Sequence, residues 1–246
     1  VSYDLQQRFF IRQRQQGKLV SKLFAVPGFG SECCKADFLH CCDLGITSDW
    51  MGSFLFYLQS EKIQGASKLI RCTKLFADID VWYREHNSED CVPKLLPTML
   101  REEARALVPC ILRLAQKYLD VTKVAELTML RGCMELQAIY SNLSAGSWNS
   151  QHFHAAAHRF LLLNGSLETH FEEDKLFRVK PKGHLLLELA RRQSTPSATW
   201  THRGESFGHT VVTLAGRRGG KYSVKAISNS VLRRFMAANE LPKLQA

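Results

Sequence analysis

Between Ile46 and Asn164, apolar residues recur at three- and four-residue spacing in one segment after another. A chain written with that period buries its apolar stripes by packing helix on helix. Ile46–Gln59 places Ile46, Trp50, Met51, Phe54, Leu55 and Leu58 on one stripe, with Thr47 or Ser48 positioned to cap its start. Lys68–His86 repeats the pattern through Leu69, Ile70, Cys72, Leu75, Phe76, Ile79 and Val81/Trp82, and Asn87-Ser-Glu-Asp90 breaks it. Pro93 and Pro97 punctuate the next connection. A third helix spans Glu102–Leu119, started or kinked by Pro109, and a fourth spans Val121–Ser141 behind a cap at Asp120 or Thr122. A fifth covers Gln151–Asn164 and is stopped by Asn164-Gly165.

Outside this series the reading stays helical. Residues 3–16 form a polar helix, and His184–Arg192, Glu205–Arg217 and Val224–Asn239 follow near the C-terminus. Strand signals are confined to Leu19–Val26 and Phe177–Val179. The expected fold is mainly α, a helical bundle-like domain with few short strands. A helical domain over 1–174 would carry a basic C-terminal helical segment, 175–246, packed on it. There is no internal repeat and no low-complexity segment.

The chain has 246 residues, enough for a substantial core, with 45% hydrophobic and 23% charged residues. The longest apolar run, Met51 to Leu58, falls well short of the ~18–20 residues that span a bilayer. The N-terminus is polar, lacks an initiator Met and carries no secretory cleavage pattern, which reads as a fragment or processed product of an intracellular protein. The eight cysteines (33, 34, 41, 42, 72, 91, 110 and 133) include two adjacent pairs and no C-x-x-C, a pattern of buried free thiols in a reducing compartment rather than a disulfide framework.

Charge is concentrated at one end. Lys175 to Arg234 holds 13 Lys and Arg against Glu188 and Glu205, while the whole chain carries +10. A block of this sign fits a polyanion, most often nucleic acid, or else a solvated basic face.

Three constellations bear on chemistry. Asp37-x-x-His40 precedes Cys41, Cys42 and Asp43 at the edge of an apolar helix. It could set a carboxylate and an imidazole near a metal or a scissile phosphate, or simply cap a turn. Adjacent cysteines are poor chelating pairs and no second ligand pair follows, so zinc is disfavoured. His154 and His158 share a helical face near His152, but alanines fill 155–157 where H-E-x-x-H needs its glutamate, a sign of close helix packing. Glu205, at a helix start among cations, is the kind of carboxylate that holds a divalent ion beside a phosphate backbone. The plainer alternative is a carboxylate favouring a helix N-terminus. His184 and His209 would bind phosphate or pack.

Two of these motifs, in this order, resemble part of a known group. Asp37-Phe-Leu-His-Cys-Cys-Asp-Leu-Gly-Ile46 is similar to the D-x-x-H-x-x-x-L-G segment of ribonuclease-H-like cut-and-paste DNA transposases, most like the CACTA group. Lys182-Gly-His-Leu-Leu-Leu-Glu-Leu, followed by Pro196, Trp200 and Glu205-Ser-Phe, is similar to that group's later segment. There the glutamate closes the metal-binding acidic triad, and a helical insertion separates the two segments. The resemblance covers residues 19–60 and 175–218, about a third of the chain. It implies catalytic roles for Asp37, His40 and Glu205, with Mg²⁺ or Mn²⁺ held by Glu205. Lys180, Lys182, Arg191, Arg192, Arg217, Arg218 and Lys221 would contact nucleic acid, DNA ahead of RNA, with a nuclear location and no membrane. The group's first two aspartates lie upstream of D-x-x-H, whereas Asp4 is the one aspartate before Ala36 here. The expectation is therefore a transposase-derived chain, nucleic-acid binding and catalytically incomplete. The alternative is a non-catalytic nucleic-acid-binding or protein-interaction module.

Overall fold

The computed structural model describes residues 36–88, 91–92, 104–144, 146–191 and 195–198, with 8, 11–13 and 15–18 near the N-terminus. Contacts divide the chain into two units, Val1–Thr199 and Trp200–Ala246, and every described residue belongs to the first. Between residues 36 and 198 the described residues form seven α-helices, and there is no strand among the described residues. These are α1 (Thr47–Tyr57), α2 (Lys68–His86), α3 (Ala104–Leu107), α4 (Ile111–Tyr118), α5 (Val124–Ser141), α6 (Ser150–His170) and α7 (Gly183–Ala190). The mainly α expectation holds for this unit. No described helix is long and apolar enough to cross a membrane.

Trp50 on α1 organises the core. Its ring stacks on Phe54 at 5.4 Å, lies 5.8 Å from Phe160 of α6 and meets Phe177 edge-on at 5.6 Å. Three elements distant in sequence thus converge on one fully buried indole, and burying each such large side chain contributes about 1.5–3 kcal/mol. Gly132 of α5 sits against the same ring, where a Cβ would lie 2.8 Å from Trp50 Cζ2. The glycine lets α5 pass this closely. α5 and α6 form the most extensive helix pair, and Ala156 and Ala157, buried on α6, allow that approach.

The boundaries follow local chemistry. Ser67 caps α2, its side chain accepting from the Ile70 N–H at 3.2 Å, and Asn87 closes the helix in the left-handed conformation at φ 48°. Cys72, Leu75, Ile79 and Tyr83 are the face that α2 buries. Pro109 divides the third expected helix, so a 3₁₀ turn, Val108–Cys110, joins α3 to α4. The Pro109 carbonyl accepts from Gln137 Nε2 of α5 at 2.9 Å, so the broken helix leaves that group paired.

Four expectations are corrected. Thr47 and Ser48 do not cap α1, because helical backbone arrives from upstream through a wide π-type segment, Leu39–Ile46, and both residues are buried inside it. α5 starts at Val124 with Lys123 as its cap residue and no side-chain cap bond; Asp120 instead turns the preceding loop, accepting from the Thr122 N–H at 3.1 Å. Asn164-Gly165 does not stop α6, which runs on to His170. Phe153, Ala156, Ala157, Phe160, Asn164 and Leu167 make one continuous buried face, and burying Leu167 outweighs the ~1 kcal/mol cost of a helical glycine. Phe177–Val179 is not a strand. The Phe177 N–H donates to Ser53 Oγ at 3.0 Å and the Val179 N–H to Glu168 Oε1 at 2.9 Å, so side chains replace the ladder while Phe177 plugs the core. Leu19–Val26 lies outside the described residues. The polar N-terminal helix is helical at its described residues 8, 11–13 and 15.

Candidate functional site

Asp37 stands immediately before the first helical residue, Phe38. Its carbonyl accepts from the Cys41 N–H at 3.0 Å and its Oδ2 from the His40 N–H at 3.0 Å. Those two bonds define a helix cap. The same Oδ2 lies 2.6 Å from His40 Nδ1, which fixes the imidazole against the cap. His40 remains half exposed while the Asp37 side chain is largely covered.

The second motif comes back to this point. Lys182, just before α7, donates from Nζ to the His40 carbonyl at 2.9 Å, and its own carbonyl receives the Cys41 thiol at 3.6 Å. The lysine stem crosses Gly45. A Cβ there would stand 2.9 Å from the His40 oxygen and 3.2 Å from Lys182 Cδ. Gly45 is also where the helix kinks, at φ −119° and ψ −105°. The glycine opens a notch, the kink leaves the His40 carbonyl available, and Lys182 fills the notch and bonds that carbonyl. Two segments separated by 142 residues are latched together this way.

Asp43, three residues beyond His40, faces inward. Its Oδ1 accepts from the Tyr140 hydroxyl, which also reaches Thr47 Oγ1 at 3.0 Å, and Arg105 lies 3.8 Å from Oδ2. Burial, and then the neighbouring Asp43 charge, push the Tyr140 phenol well above its usual range, so it stays a donor. Phe38 packs edge-on against Tyr140 at 5.5 Å. Cys41 and Cys42 are buried free thiols, as are Cys72, Cys110 and Cys133, whereas Cys91 is free and exposed. Burial raises the Cys110 thiol to about 12 and lifts Cys42 and Cys133 well above the ordinary value, so all three stay protonated and unreactive. Cys33 and Cys34 lie outside the described residues.

The described basic candidates have internal partners. Lys180 pairs with Asp49 of α1, Lys182 occupies the Gly45 notch, and Arg191 Nη1 lies 3.2 Å from Glu188 Oε1 one turn earlier. His184 Nδ1 is bonded to the Pro181 carbonyl. Arg192, Glu205, Arg217, Arg218 and Lys221 lie outside the described residues. Among the described residues no group of three or more His, Cys, Asp or Glu is placed to hold a metal.

Sequence reasoning missed the most buried charge cluster. Glu126, in the first turn of α5, is 1% exposed. Its Oε1 accepts from the Tyr57 hydroxyl at 2.9 Å, its Oε2 accepts from the Asp120 N–H at 2.7 Å, and Lys62 bridges to Oε2. Burial acts to raise the carboxyl pKa, but Lys62, the Asp120 N–H and Tyr57 together hold it below its ordinary 4.5. The one available signal was periodicity: residue 126 falls on the face of Met129 and Cys133. A first-turn glutamate is otherwise ordinary.

No protein-family model matches the chain, and neither a curated protein nor a solved structure matches it.

Proposed function

We propose that this chain is a transposase-derived, non-catalytic nucleic-acid-binding protein in which the Asp37–His40 motif has an architectural role. The observation that carries the non-catalytic part is the use of Asp37. Its Oδ2 serves a backbone N–H and an imidazole at once, and the carbonyl of its partner His40 is taken by Lys182. The meeting of the Asp37 and Lys182 segments supports the resemblance, since the two motifs are neighbours in space as well as ordered in sequence. The nucleic-acid part rests on charge: the excess of +11 over 175–234 exceeds the net charge of the whole chain. With Lys180, Lys182 and Arg191 paired internally, binding to phosphate falls to Arg192, Arg217, Arg218 and Lys221. DNA is the favoured polyanion, and a nuclear location would follow.

The test is binding of labelled duplex DNA across a salt series. Arg217/Arg218/Lys221→Ala weakens binding and lowers the slope of log K against log salt by about 0.9 for each phosphate that is no longer neutralised. Glu205→Gln leaves it unchanged. No binding at low salt would sink the proposal. Divalent-metal-dependent nicking abolished by Glu205→Gln would return the chain to the nucleases and give Glu205 its Mg²⁺ or Mn²⁺.

A further inference from the structure

His154 and His158 take no part in the core or in the Asp37 latch. They lie one turn apart on α6, both exposed, with ring centroids 6.3 Å apart and ring planes within 10° of parallel. Neither makes a hydrogen bond or an ion pair among the described residues. The helix beneath them is held by Phe153, Ala156, Ala157 and Phe160, all buried on its other side. Arg159, the next residue along the helix, is bound through two nitrogens to Glu135 of α5, at 2.7 and 2.8 Å.

We infer that His154 and His158 form a two-imidazole chelate for a borderline transition-metal ion, of the class of Ni²⁺, Cu²⁺ and Zn²⁺. Two neutral imidazoles at i and i+4 are the ligand pair that H-E-x-x-H presents to a metal. Here the intervening glutamate is absent, so the site binds without a general base, and water completes the coordination sphere. Imidazole donors favour these ions, Cu²⁺ above all, and reject Mg²⁺ and Ca²⁺, which take oxygen ligands. His152 precedes His154 by two positions and projects from a different side of the helix, so it is no part of the chelate. This site is independent of the nucleic-acid proposal.

The test is calorimetric titration of the metal-free full chain with Ni²⁺. One equivalent binds, Mg²⁺ does not compete, and His154→Ala or His158→Ala lowers affinity on the order of 100-fold because the second bond is no longer intramolecular. His152→Ala and Cys91→Ser retain wild-type binding, which separates the chelate from a nearby imidazole and from an exposed thiol. Both chelate variants keep the wild-type helical circular dichroism, since the rings are exposed. Unchanged affinity in His154→Ala or His158→Ala, or an equal loss in His152→Ala or Cys91→Ser, would overturn the assignment.

Discussion

Asp37 and Glu126 are built alike and do different work. Each carboxylate accepts from a backbone N–H and from a side-chain group, at His40 in one case and Tyr57 in the other, and each cluster includes a lysine. Asp37 sits at the surface end of a helix, and the lysine beside it bonds a carbonyl rather than the carboxylate. Glu126 is buried, and two lysines, Lys62 and, at 3.5 Å, Lys123, pair with its carboxylate directly. The difference lies in dielectric and in alternatives. Water can replace what Asp37 loses, whereas the Glu126 carboxylate is itself cut off from water and its pairing is made inside the protein.

That contrast sets an order of effects. Glu126→Ala should cost most, about 3–5 kcal/mol, because it strands the Lys62 ammonium and leaves the Asp120 N–H and Tyr57 hydroxyl unpaired; urea unfolding followed by far-ultraviolet circular dichroism measures it. The same carboxylate contributes to the acid pH dependence, alongside Glu85 beside Arg113 and Asp120 beside Thr122, which are also held below their ordinary values. Its folded-state pKa lies below the ordinary 4.5, so its contribution is fully present above that value and is lost as pH falls through the lower folded value. Acid titration of stability should therefore flatten in Glu126→Gln. An equally steep acid profile in Glu126→Gln would overturn this role.

Gly132→Ala is next, at about 1–3 kcal/mol, since the added Cβ meets the Trp50 ring at 2.8 Å between two buried helices. Asp37→Ala should cost about 1 kcal/mol for the missing cap, and Asp37→Asn should recover most of it because asparagine caps equally well. If Asp37→Asn instead matched Asp37→Ala, the carboxylate charge rather than the cap would be what the position needs. His40→Ala should be smallest, within about 0.2–1 kcal/mol for a half-exposed pair, read from the shift in urea midpoint.

Periodicity located the elements well where a helix buries one clear stripe. Lys68–His86 matches α2 end to end, since Ser67 and Asn87 are the residues that start and stop a helix chemically. It failed where burial outweighed local signals, as at Asn164-Gly165 and at Thr47. The Asp37 motif is visible in the sequence as a motif, but its neighbour Lys182 reads there as a phosphate ligand. Nothing local marks a lysine that must fill a notch 142 residues upstream. Periodicity puts Glu126 on a buried face, but its role is hidden for the same reason: its partners at 57, 62 and 120 come from other elements.

The sequence by itself determined that the described part of this chain is helical, where most of its helices begin, and that the positive charge is gathered at one end. Spacing, caps and composition are local quantities, and the backbone answers to them directly. Only the tertiary structure decided which carboxylate is buried, which lysine is spent on the fold and which glycine is a notch. Those roles depend on what lies across the core, and burial makes a mispaired charge there cost several times more than one at the surface.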